Sequence, residues 1–202
     1  MDTSGREVAR LPADGSPFAI AGVFFGTGSL VAVPGFDEEQ GVTIWDWTRD
    51  QIVSEFPAPY AEDEVMRFDP EGNRIALGTP DTTIWDVRTG RLLLTLPSGQ
   101  GAAADLAFSP DGSRLAEMDT DGTVRLWDTT SGEEVLVLHR HTAGDQVVFS
   151  PDGSMLATQG GGMVRIWALD IDDLLEIARE SVTRSLTDEE CRRYLHTESC
   201  AG

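Results

Sequence analysis

The residues of this chain whose chemistry could serve catalysis or metal binding are few, and their spacing suits neither. His139 and His141 alternate, so both can point to one face of a strand, but no third ligand is placed beside them as a metal site requires. The glycines at 160–162 resemble a phosphate cradle, yet no Lys-Ser or Lys-Thr follows them. We therefore interpret His141 as structural and the glycines as a hairpin turn, and we expect no cofactor or metal.

Two cysteines, Cys191 and Cys200, lie close together near the end of the sequence. Their spacing is compatible with free thiols, with a disulfide and with a metal site. A structural metal site needs four ligands, and His196 is the one additional candidate nearby. On sequence grounds all three interpretations stay open.

Carboxylates are numerous, but no pair of them is singled out as catalytic. The chain has 35 Asp and Glu residues against 15 Arg and no Lys, which gives a net charge of −20. Most of these acids fall in turns, where Asp hydrogen-bonds the local backbone, and no Gly-x-Ser-x-Gly or His-Glu-x-x-His motif occurs. The charge argues against nucleic acid and anionic membrane surfaces as partners and favours a protein with a basic surface.

The sequence also lacks signals for insertion into or passage across a membrane. No apolar run reaches the roughly 18 residues of a membrane span. No basic N-terminal segment precedes an apolar one, as it does in a secretory signal. We therefore predict a cytoplasmic location.

A unit of three strands and two turns recurs four times along the chain. Its best-preserved copy, FSPDGSRLAEMDTDGTVRLWD at 108–128, has a Ser-Pro-Asp-Gly turn and an Asp-Gly hairpin before a strand that ends in Trp-Asp. The other copies span 149–168, 68–86 and 25–46, and the last of these has lost its Pro-Asp-Gly turn. The terminal tryptophans, spaced by 40, 42 and 40 residues, are Trp45, Trp85, Trp127 and Trp167. Such regular spacing identifies a repeat architecture.

A period of this length closed by Trp-Asp resembles the WD-repeat β-propeller family over residues 2–169. The resemblance implies an all-β fold of propeller blades, with four repeats forming a partial or small propeller. The predicted strands of blade one are 18–25, 29–33, 41–46 and 50–56, and those of blade two are 64–68, 73–78, 82–87 and 91–96. In blade three they are 104–108, 114–118, 123–128 and 133–138, and in blade four 145–149, 154–158 and 163–168.

The chain opens with a segment that matches an outer blade strand. Residues 5–11 resemble the segment that follows Trp127-Asp128, and we predict that they complete blade four, as an N-terminal strand commonly does in this family. Closure of this kind removes an exposed sheet edge. Propellers of this family usually have about seven blades. The four blades are therefore either the C-terminal part of a longer propeller or a set that closes alone or pairs with a second copy, and we expect self-association through incomplete blade edges.

The pattern changes after Trp167. Apolar residues at 171, 174, 175, 177 and 178 predict an amphipathic helix, and Thr187-Asp-Glu-Glu190 predicts the capping box of a second short helix. The predicted domains are thus the blades at 1–169 and a helical tail at 170–202. This tail resembles the C-terminus of bacterial WD-repeat signalling regulators.

The resemblance also implies a role for the tryptophans. In WD blades the indole N–H joins a network with a Ser or Thr on the second strand, an Asp in the second turn and a His before the first strand. The matching residues are Asp81 and Trp85 in blade two, Asp121 and Trp127 in blade three, and His141, Thr158 and Trp167 in blade four. No blade has the full set, so we expect stability to rest more on packing than on this network.

In a propeller, the loops between second and third strands emerge beside those between outer and next inner strands, at what we call the loop end. The predicted partner-binding carboxylates at the loop end are Asp37, Glu38, Glu62, Asp63, Glu64, Asp119 and Asp145. The resemblance to WD-repeat proteins, together with the lack of catalytic motifs, implies a non-catalytic interaction or scaffold module. The resemblance of the tail implies that this module is the C-terminal sensing part of a larger bacterial signalling protein. Alternatives are a truncated remnant or a propeller hydrolase, whose metal over the central channel would be held by Asp105, Asp145 and Glu64.

Overall fold

A computed structural model describes residues 23–24, 28–34, 41–58, 65–78, 81–98, 103–139 and 143–170. These residues form fifteen β-strands in four antiparallel sheets, and no helix occurs among them. The chain divides into two compact units, Met1–Trp167 and Ala168–Gly202, and all four sheets lie in the first except for the last residue of β15. No helix in the described part of the chain is long and apolar enough to cross a membrane.

Each sheet is built from strands that are consecutive in the sequence. Blade one contains Val23–Phe24 (β1), Leu30–Pro34 (β2), Val42–Asp46 (β3) and Gln51–Phe56 (β4). Blade two contains Val65–Phe68 (β5), Arg74–Gly78 (β6), Thr82–Asp86 (β7) and Leu92–Leu96 (β8). Blade three contains Ala103–Phe108 (β9), Arg114–Asp119 (β10), Thr123–Asp128 (β11) and Glu134–His139 (β12). Blade four contains Gln146–Phe149 (β13), Met155–Gly160 (β14) and Met163–Ala168 (β15).

The Trp-Asp pair makes the same corner in blades one to three. The register between third and fourth strands shifts just before Trp45, Trp85 and Trp127, which is the mark of a β-bulge. The Asp that follows each Trp then accepts hydrogen bonds from two backbone N–H groups of the next turn, as Asp128 does from Thr130 and Ser131, both at 2.8 Å. The repeated dipeptide therefore ends one strand and starts the hairpin to the next.

The Pro-Asp-Gly turns connect first and second strands. In blade three the Gly112 N–H donates to the Ser109 carbonyl at 2.8 Å, and Gly112 has a φ of +70°, a conformation that favours glycine. Asp111 accepts hydrogen bonds from Ser109 and Ser113, which lowers its pKa to about 2. Asp152 occupies the same position in blade four, with Ser150 and Ser154 as its donors.

Neighbouring blades pack through apolar faces. The forward face of blade one, with Ala32, Val42 and Ile44, contacts the rear face of blade two, with Ile75 and Trp85. The forward face of blade two packs in the same way on the rear face of blade three. The inner strands β5, β9 and β13 lie side by side in chain order, which is the arrangement of propeller blades.

The structure confirms the predicted all-β blades, and the strand ends differ from prediction by one or two residues for most strands. The predicted strand at 5–11, the helical tail and both cysteines lie outside the described residues. The same is true of His141, Asp37, Glu38, Glu62, Asp63 and Glu64.

Candidate interaction surface at the loop end

Two exposed carboxylates mark the loop end of blades three and four, Asp121 in the turn after β10 and Asp145 just before β13. The Gly144 N–H donates to the Thr120 carbonyl at 3.3 Å, and this bond joins the two segments. Gly144 approaches β10 so closely that a Cβ there would lie 2.0 Å from the Asp119 carbonyl oxygen. Asp121 and Asp145 are therefore presented on neighbouring segments.

Asp121 is held by its own turn. Its Oδ1 accepts the Thr123 N–H at 2.8 Å, and this hydrogen bond lowers the pKa of the Asp121 carboxyl. The Thr123 hydroxyl in turn lies 3.2 Å from Nδ1 of His139 at the end of the outer strand. The carboxylate is consequently ionised at neutral pH and oriented by the fold, although it is exposed. In blade two, Asp81 is also exposed and directly precedes β7.

Asp119 differs from the expectation of an exposed loop carboxylate. It is the last residue of β10, has no exposed surface and forms an ion pair with Arg125 through Oδ2. Its Oδ1 is buried without a hydrogen-bond partner in the structure. Burial, followed by the nearby Glu117 carboxylate, raises the pKa of Asp119 to about 7. Asp119 is therefore part of the interior beneath the loop end, because its side chain faces Arg125 and not solvent.

Glu117 is a buried residue whose role was not predicted from the sequence. It lies on β10 with no exposed surface, where Oε2 accepts the indole N–H of Trp127 at 2.8 Å and Oε1 accepts the Thr82 hydroxyl at 2.6 Å. Thr82 belongs to blade two, so the carboxylate joins two blades. Alignment of the repeats could have indicated this role, because Glu117 occupies the second-strand position that Thr158 occupies in blade four.

The other tryptophans use different acceptors. Trp167 donates to the Thr158 hydroxyl at 2.9 Å, the pair expected in blade four. Trp85 donates instead to Thr83 on its own strand at 2.9 Å, since Leu77 occupies the second-strand position in blade two. Trp45, Trp85 and Trp127 are at most 7% exposed, whereas Trp167 is only partly buried. The structural roles of these residues and of Asp81 stay predictions.

Asp105, a proposed metal ligand of the hydrolase alternative, is engaged within the protein. Its Oδ1 accepts Arg67 of blade two at 2.6 Å, and its Oδ2 accepts the Val147 N–H of blade four at 3.0 Å. The carboxylate therefore ties three inner strands together. Within the described ranges, no group of three or more His, Cys, Asp or Glu side chains is placed to hold a metal ion.

The opposite end carries the Pro-Asp-Gly turns and two grooves between blades. Arg74 donates to Asp69 at 2.9 Å, to Thr129 at 3.0 Å and to the Gly112 carbonyl at 2.7 Å, so it links blades two and three. A groove of about 350 Å³ beside it is lined by Glu71, Asp86 and Asp111 among others. A second groove of about 380 Å³ lies between blades one and two.

Two family models match this chain. The anaphase-promoting complex subunit 4 WD40 domain matches residues 66–149, and the WD domain, G-beta repeat, matches residues 132–168. Together the matches run from blade two to the end of blade four. No curated protein matches the chain at a significant level.

Proposed function

The chain belongs to the WD-repeat family, and from that premise we propose that it is a non-catalytic scaffold module that docks a basic protein on its loop end. WD repeats generally mediate protein–protein interactions. The finer proposal, the sensing part of a larger bacterial signalling protein in the cytoplasm, is supported by the resemblance of its tail to bacterial regulators.

The observation that favours the loop end is that Asp121 and Asp145 lie on neighbouring segments. Both carboxylates are exposed, they stand on segments joined by the Gly144 to Thr120 hydrogen bond, and Asp121 is pre-oriented by Thr123. Oriented side chains lose less conformational entropy when a partner binds. The sequence-predicted acids Asp37, Glu38, Glu62, Asp63 and Glu64 would extend this surface, and Asp119 would support it from beneath.

Long-range electrostatics adds to this local arrangement. A net charge of −20 attracts cationic surfaces and accelerates their association, and the effect weakens as salt rises. Charge alone does not choose an end of the propeller, because the groove lined by Glu71, Asp86 and Asp111 at the opposite end is acidic as well. An experiment must therefore compare the two ends at equal net charge.

A fluorescently labelled oligo-arginine peptide serves as the probe, with binding measured by anisotropy over a range of salt concentrations. D121N/D145N removes two charges from the loop end, and D111N/D152N removes two from the opposite end while Asn preserves the turns. We expect the first pair to weaken binding about two- to tenfold and to reduce the salt slope. Equal effects of both pairs, or a larger effect of D111N/D152N, would refute docking at the loop end.

The predicted acidic segment before blade two offers an independent check. Neutralising Glu62, Asp63 and Glu64 together should also lower affinity and flatten the salt dependence. Unchanged affinity and slope would count against this part of the surface.

A further inference from the structure

The forward face of blade four differs from that of every other blade. On the third strand of each blade, the residue before the terminal Trp lies on the forward face, the one that the next blade covers. In blades one to three these residues, Ile44, Ile84 and Leu126, are at most 2% exposed. The residue two positions earlier behaves in the same way, at no more than 1% exposed in blades one to three. In blade four the same two positions, Ile166 and Val164, are 70% and 66% exposed.

Neighbouring residues on the same face of blade four are also exposed to solvent. Val148 on β13 pairs with Ala157 on β14 and is 58% exposed. Ala157 is partly exposed, whereas its equivalents Ala76 and Ala116 have no exposed surface. Blade four therefore presents an apolar sheet face of the kind that the following blade covers in blades one to three.

This face carries no charge. The side chains on this face include Gln146, Val148, Met155, Ala157, Gln159, Val164 and Ile166. A second copy of a chain with net charge −20 is repelled least where like charges are absent, and this face meets that condition. An uncharged, apolar sheet face is also the surface that packs against another sheet.

The rear face of blade one is not free to cover it. Val31 and Trp45, which pair across β2 and β3 on that face, are only 4% and 5% exposed. A head-to-tail contact between blade four of one copy and blade one of another would need these side chains uncovered. A two-fold contact uses the same patch on both copies, so it does not require the rear face of blade one to be exposed.

We propose that the forward face of blade four is a self-association surface, on which blade four of a second copy packs in a two-fold arrangement. Three strands of four to six residues cover roughly 250 Å² per copy, from the ordinary strand spacing and rise. An interface of that size is small, so the dimer is weak and reversible.

Sedimentation velocity over a concentration series tests the proposal on the full chain under reducing conditions. The wild type should show a reversible monomer–dimer equilibrium. V164E/I166E should raise the dissociation constant by at least about 100-fold, because it places charges in an apolar contact. The control I52E/V135E changes two residues that are 56% and 54% exposed on the outer strands of blades one and three, and it should leave the dimer intact.

Salt separates this contact from docking of a basic partner. Added salt should strengthen self-association, because it screens repulsion between copies, whereas it weakens binding of oligo-arginine. A wild type that stays monomeric at every concentration would overturn the proposal, as would a control variant that weakens the dimer as much as V164E/I166E.

Discussion

Replacing Glu117 by Leu should strongly destabilise the protein, although Leu is a common core residue and Leu77 fills the equivalent position in blade two. In blade two Trp85 has a substitute acceptor in Thr83, whereas Arg125 occupies that position in blade three. Glu117→Leu therefore leaves the Trp127 N–H and the Thr82 hydroxyl buried without their acceptors.

The expected decrease in the free energy of unfolding follows from the two lost hydrogen bonds. An unsatisfied buried donor costs about 1–3 kcal/mol, so the pair costs about 2–6 kcal/mol, offset in part because the buried carboxylate is gone. A net loss of about 3 kcal/mol would lower the melting temperature by roughly 6–12 °C in a domain of this size. Glu117→Thr should cost less, since a hydroxyl at this position accepts the indole N–H of Trp167 in blade four.

The assay is urea unfolding followed by tryptophan fluorescence, with a double-mutant cycle. Thr82→Val removes the hydroxyl that Glu117→Leu leaves unpaired, so the double variant should be more stable than the sum of the two single changes predicts. Thr158→Val serves as the matched control, and it should cost less because Trp167 is only partly buried. A Glu117→Leu variant within about 0.5 kcal/mol of the wild type would refute the reasoning.

Two further predictions concern other charged residues. The pKa of Asp119 is raised to about 7 from its ordinary 3.8, so the folded state holds a proton that the unfolded state releases, and this residue's contribution to stability is lost as pH rises between those values. Asp119→Asn should flatten the dependence of the urea midpoint on pH in that window, and an unchanged slope would contradict the assignment. Arg74→Met should lower the free energy of unfolding by about 2 kcal/mol, because its bond to Asp69 within blade two and its two bonds to blade three are lost. Arg114→Met, at the same position in blade three, is the control and should lower the free energy of unfolding by less. Equal decreases for the two variants would contradict a specific role of Arg74 in joining blades two and three.

Repetition made the fold predictable from the sequence. A Trp ends the third strand in all four copies, and Trp-Asp ends it in three, so the strand positions follow from the sequence. A turn that needs Gly and Asp cannot be moved along the chain without losing both. The hydrogen bonds that Asp128 accepts from the following turn and the positive φ of Gly112 show the physical basis of the two strongest signals.

The site was less predictable because burial depends on neighbours that are distant in sequence. By sequence, Asp119 belongs to an Asp-Thr-Asp-Gly turn. In the structure the pairing of β10 with β11 extends to Met118, and the Asp119 side chain is buried in an ion pair with Arg125. Glu117 looks like a surface residue until Thr82, thirty-five positions earlier, is brought against it. The exposure of Ile166 could not be read from its type, since the equivalent Ile44 and Ile84 are fully buried.

The location of partner docking is tested most directly by backbone amide chemical shifts of the labelled protein during titration with oligo-arginine. Docking at the loop end predicts the largest changes at residues 120–123 and 143–145, with a saturable dependence on peptide concentration. Changes concentrated instead at the turns 109–113 and 150–154 would place the basic partner at the opposite end and contradict the account.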